Sequence, residues 1–167
     1  MTDRPAEDGT GLGRGVWEVE HTADVGLAIS GATLEQLFHR AALGMARLMR
    51  GDASPAGAAR ALRPEGEAGP ERAAESVHAT RSVALAAESS DLLLARWLGE
   101  LLYLDEVDGF VYEGAEFAVL DEGRLEATVR GRIDPEAPMC QLKGVTYHGL
   151  SLGRGEEGWE ARVIFDI

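Results

Sequence analysis

The chain has 167 residues, 45% hydrophobic and 27% charged, a balance that fits a folded globular domain and excludes wholesale disorder. Twenty-nine acidic residues against 16 basic ones leave a formal charge of −13, which excludes a broad phosphate-gripping face of clustered Lys and Arg. No run of about 18 apolar residues can span a bilayer, the lone Cys140 cannot form an internal disulfide, and the polar, acidic start lacks a secretory pattern, so a soluble cytoplasmic protein is expected.

Residues 1–14, rich in Gly and charge, read as a flexible leader, and residues 15–167 as one domain. In VGLAIS, Val25, Leu27 and Ile29 alternate with Gly26, Ala28 and Ser30, the period of a half-buried strand, which puts Asp24 at its leading end. TLEQLFHRAALGMARLMRG then carries Leu34, Leu37, Phe38, Ala41, Met45, Leu48 and Met49 at helical spacing. Thr33 and Gln36 form a capping-box pattern, and Gly51 stands as a stop. From about 51 to 80 the composition shifts: sixteen of thirty residues are Ala, Gly or Pro, and Pro55, Pro64 and Pro70 interrupt any long helix, so this stretch reads as an insertion that includes His78.

SVALAA follows as a short strand, and SSDLLLARWLGELLYL as a second amphipathic helix with Ser90 as cap and Leu94, Trp97, Leu98, Leu101 and Leu102 on one face. The C-terminal third alternates throughout: Phe117 and Val119; Leu125, Ala127 and Val129; Val145 and Tyr147; Trp159, Ala161, Val163 and Phe165. A change of phase between Tyr147 and Leu150 predicts a bulge near Gly149. The expected class is α+β, a mainly antiparallel sheet packed with two helices.

No GxGxxG, GxxxxGK[ST], GxSxG, HExxH or CxxC signature is present, and Cys140 sits in no motif. Three places remain. His21, Thr22 and Asp24 read either as a polar turn before a strand or as a site. VIFDI places the Asp166 carboxylate beside the free α-carboxylate of Ile167, an oxygen-rich pair of the kind hard cations require. In LKGVTYH, Lys143 is the single lysine among fifteen arginines, which suggests a need for a compact, point-like ammonium. His39, inside the first helix, reads as a solvated or edge residue.

Taken together, VEHTADVGLAISGATLEQLFHRAALGMARLM, DLLLARWLGELLYL, LKGVTYH and the closing VIFDI resemble the archease family over residues 17–50 and 89–167. The resemblance implies a strand-helix-strand-strand (SHS2-like) fold and a protein cofactor with no turnover of its own. It would activate the RNA-splicing ligase RtcB, which uses GTP and Mn²⁺ in tRNA splicing and RNA repair, by promoting its guanylylation and multiple turnover.

The resemblance further implies a divalent-metal site, seen with Ca²⁺ in the family and open to Mg²⁺ or Mn²⁺, on Asp24, Asp166 and the terminal carboxylate of Ile167. Lys143 would be the partner-facing functional residue, with His21, Thr22, Thr146, Tyr147 and His148 in support. Gly144 stands where the family has Ala, and Ala32 where a polar residue is common. Neither extended nucleic-acid binding nor a membrane is expected. Two alternatives stand beside this reading: a chaperone-like modulator of nucleic-acid-modifying enzymes, and a metal-dependent phosphoester hydrolase with His21 or His148 as base. The physical expectation common to the metal readings is that the first and last strands lie side by side, bringing Asp24 to Asp166.

Overall fold

The computed structural model describes residues 15–21, 24–50, 77–134 and 142–167. In chain order the elements are β1 (Val16–His21), β2 (Asp24–Gly31), α1 (Leu34–Met49), β3 (Val77–Ala86), α2 (Ser90–Asp108), β4 (Phe110–Leu120), β5 (Arg124–Ile133), β6 (Gly144–Gly155) and β7 (Gly158–Asp166). All strand pairs are antiparallel and fall into two sheets, β1-β2-β7-β6 and β3-β5-β4. The α+β class is as expected, with two sheets in place of one.

The helices fill the space between the sheets. α1 packs on β2 and β7 of the larger sheet and on β4 of the smaller; α2 packs on β6 from one side and on β3, β4 and β5 from the other. This explains a departure from the expected one-faced second helix. Leu93, Ala95, Leu104 and Asp105 are buried in addition to Leu94, Trp97, Leu98, Leu101 and Leu102, because a helix between two layers has little face left for water. Trp97 lies fully buried in α2, and its Nε1–H donates to the Phe38 carbonyl of α1 at 3.2 Å, which satisfies the indole and fixes the two helices to each other.

Helix starts follow local chemistry. Thr33 Oγ1 accepts from the Gln36 N–H at 3.1 Å, and Gln36 Oε1 reaches back to the Ala32 N–H at 2.8 Å, a reciprocal cap at the expected residues. α2 is capped by Ser89 and not by Ser90: the Ser89 hydroxyl turns to the Asp91 carboxylate, which also accepts from the Leu92 N–H at 2.9 Å. Gly109 ends α2 in the left-handed conformation (φ 65°) with its N–H on the Asp105 carbonyl at 2.8 Å.

Three further expectations are corrected. A strand, β1, precedes VGLAIS, so that strand is the second of the fold. β3 begins at Val77, which removes residues 77–80, His78 among them, from the insertion; the rest of the insertion, the leader 1–14, the Gly51 stop and Cys140 lie outside the described residues. β4 begins at Phe110, seven residues before its readable alternation, because register shifts at Tyr112/Gly114 and Phe117/Val119 break the period of two.

Candidate cation site at the end of the four-stranded sheet

Register places the carboxylates. Val25, Leu27 and Ile29 of β2 face Phe165, Val163 and Ala161 of β7, and these pairs point to the helices; Leu27, Val163 and Phe165 are fully buried. The alternate positions therefore point outward, and the last outward pair is Asp24 opposite Asp166. The row continues through the flanking strands, with His21 of β1 opposite Asp24 and Gly144 of β6 opposite Asp166. Asp24 is half-buried and Asp166 exposed. Thr22 lies outside the described residues, and His21 is placed by its backbone alone.

Lys143 and Ile167 meet at the same corner. The Lys143 N–H donates to the Asp166 carbonyl at 2.8 Å, extending the β6–β7 ladder by one residue, and Lys143 Nζ donates to the main-chain oxygen of Ile167 at 3.2 Å. Among the described residues no three His, Cys, Asp or Glu side chains gather into a metal-holding group. Two aspartates do stand at opposite register positions here, and carboxylate oxygens are ligands of the kind that Ca²⁺, Mg²⁺ or Mn²⁺ take.

The rest of the LKGVTYH block is carried away from this corner. Thr146 pairs with Ile164 and the next pair is Ser151 with Arg162, so four residues of β6, Tyr147 to Leu150, stand against one of β7. This is the bulge anticipated near Gly149, which has φ 71°. It folds over the outer face: Ile164 points away from the helices yet is only 6% exposed, and a Cβ at Gly149 would stand 2.8 Å from Ile164 Cδ1. Thr146 Oγ1 accepts from the His148 N–H at 3.1 Å, which holds the turn. His148 is exposed, and Tyr147, 64% exposed, lines a separate cleft of about 570 Å³ with Ala86, Ala87, Glu88, Leu92 and Arg96. The structure thus groups Asp24, Asp166, Ile167 and Lys143 and sets Tyr147 and His148 apart from them.

Two polar pairs in the interior escaped sequence reasoning. His39 is half-buried, which fits the edge reading and not the solvated one, and its Nδ1 shares a 2.8 Å hydrogen bond with the Tyr112 hydroxyl. Burial, and then the neighbouring Arg40, lower the His39 pKa below 6.5, while burial raises that of Tyr112. Arg50 donates to the buried Asp105 carboxylate at 2.8 Å, joining the end of α1 to the last turns of α2. The helical spacing of Asp105 among leucines was a signal for the second pair, whereas His39 and Tyr112 are 73 residues apart and carry none.

The fold defines a class: small α+β proteins with two antiparallel sheets around a helix pair. The chain belongs to the Archease protein family (MTH1598/TM1083), whose sequence profile it matches over residues 17–167. It is 30% identical to the protein archease of Methanosarcina acetivorans over 156 residues, spanning 89% of this chain and 93% of that one. It is also 30% identical to the protein archease of Archaeoglobus fulgidus over 152 residues, 89% and 96% of the two chains.

Two solved structures share the fold. One is protein 1598 of Methanobacterium thermoautotrophicum (TM-score 0.59, 24% identity, 92% of this chain and 99% of that one). The other is an archease from Thermotoga maritima described as a possible chaperone (TM-score 0.54, 19% identity, 89% and 94%).

Proposed function

We propose that this chain is a protein cofactor that activates the RNA-splicing ligase RtcB, acting through a divalent-cation site formed by Asp24, Asp166 and the α-carboxylate of Ile167. The observation that carries the cation site is the direct opposition of Asp24 and Asp166 on paired strands, next to the chain's last residue. Two like charges held across a ladder repel, and a cation bound between them relieves that repulsion. Membership of the archease family supports the activator role, and the description of the Thermotoga maritima relative as a possible chaperone supports the coarser reading of a protein that acts on another protein.

The chain's own residues divide the work by position. The β2–β7 ladder fixes both aspartates at opposite register positions on one outward face, which supports a cation shared between them. Lys143, exposed beside them, offers a point-like ammonium to a phosphate or a partner carboxylate. A divalent cation bound here supplies positive charge for the ligase's nucleotide phosphates.

The test is guanylylation of RtcB at limiting Mn²⁺, with and without this chain. Faster guanylylation that Asp24→Ala abolishes is the expected result; no effect of the wild-type chain, or an equal effect of the variant, overturns the proposal. A Gly-Ser extension after Ile167 should weaken both Ca²⁺ binding and activation, while an extension before Met1 should change neither.

A further inference from the structure

We infer that Lys143 is the internal counter-ion of this carboxylate corner, displaced when a divalent cation enters, so that loading the site frees the ammonium for the partner. The inference rests on the cation reading above and adds a role for the lysine that the reading leaves open.

Lys143 is tied to the corner at two points of different character. Its main-chain N–H is locked into the ladder on the Asp166 carbonyl at 2.8 Å, so its Cα cannot leave. Its side chain is exposed and, among the described residues, held by the 3.2 Å bond from Nζ to the Ile167 oxygen, at the end of a flexible four-carbon stem. The ammonium sits on the carboxylate that a hard cation would share at about 2.3–2.6 Å, and two positive centres on one carboxylate repel. Asp24, Asp166 and the Ile167 carboxylate contribute three negative charges, and one divalent ion cuts the charge that attracts the Lys143 ammonium from three to one. Entry of that ion lowers the attraction holding the ammonium, and the stem swings it toward solvent while the backbone keeps it within reach of whatever docks at the corner. An arginine, with its broad fork, would bridge several oxygens at once and leave less readily. In a chain with fifteen arginines this position holds the single lysine.

The experiment is calorimetric titration of Ca²⁺ into the full-length wild-type chain, Lys143→Met and Lys143→Arg at low ionic strength. Removing a unit charge beside a divalent site in a water-like dielectric is expected to tighten Ca²⁺ binding about tenfold in Lys143→Met, and Lys143→Arg should stay within about twofold of wild type or bind more weakly. In parallel, acetylation of the single lysine, followed by peptide mass spectrometry, should run several-fold faster with Ca²⁺ than without. Unchanged or weaker Ca²⁺ binding by a folded Lys143→Met, or acetylation indifferent to Ca²⁺, overturns the inference and leaves the cation site standing. Absence of any Ca²⁺, Mg²⁺ or Mn²⁺ binding by the wild type overturns both.

Discussion

Asp24 and Asp166 stand directly opposite one another on the outward face of the β2–β7 ladder, at its last register position. Like charges so placed weaken a sheet by about 0.2–1 kcal/mol in the absence of a counter-ion. Asp24→Asn and Asp166→Asn are therefore expected to raise the melting temperature slightly in EDTA and to abolish the increase that Ca²⁺ gives the wild type. Scanning calorimetry with and without Ca²⁺ reads both effects. A variant that melts lower in EDTA and still gains from Ca²⁺ would place the cation elsewhere.

The β6 bulge depends on Gly149. A side chain there meets a positive φ and the Ile164 methyl together, so Gly149→Ala should lose about 1–2 kcal/mol in urea unfolding. Gly149→Asn, whose short polar side chain tolerates the left-handed region better, should lose less. Equal losses in the two variants would show that contact with Ile164, and not backbone conformation, sets the cost.

The ion pair of Arg50 with Asp105 closes the interior ends of both helices. Asp105→Ala leaves the largely buried guanidinium without its carboxylate, and the expected loss is about 3 kcal/mol, or a melting temperature lower by about 6–12 °C. The double variant Arg50→Met, Asp105→Leu should recover most of it, since an apolar pair of similar volume removes both desolvated charges. No recovery would mean that packing around Asp105 matters more than its charge.

His39 makes stability depend on pH. Its folded pKa lies below the ordinary 6.5, because burial and then Arg40 disfavour the imidazolium, so the unfolded chain binds the proton more readily. Its contribution is complete above about pH 6.5 and is lost as pH falls from there through the lower folded value. Between pH 7.5 and 5.5 the wild type should lose more thermal stability than His39→Gln, which keeps a polar group for the Tyr112 hydroxyl. Parallel melting curves across that range would remove His39 as the cause.

The parts of the fold that were legible in sequence are those governed by neighbours along the chain. Thr33 and Gln36 announce a helix start because the cap closes within four residues, and Val25, Leu27 and Ile29 announce a strand because alternation needs no partner to be visible. β4 hid its first seven residues behind two register shifts, and β1 carried no reading before the ladder showed it beside β2. The Tyr112 partner of His39 was not legible, because it lies on a strand 73 residues away.

For the site, the sequence named Asp24, Asp166, Ile167 and Lys143, and the hydrophobic sets of the two strands require both aspartates to face outward, since a slip of one residue would turn Leu27 or Val163 to solvent. A slip of two residues would satisfy the same pattern and part the carboxylates. Only the packed structure decides against it, by seating Leu27, Val163 and Phe165 together against α1 and closing the corner with the Lys143 bonds to Asp166 and Ile167. Composition and period singled out the candidate residues; the register of non-local strands, set by how side chains fill one core, decided which of them meet.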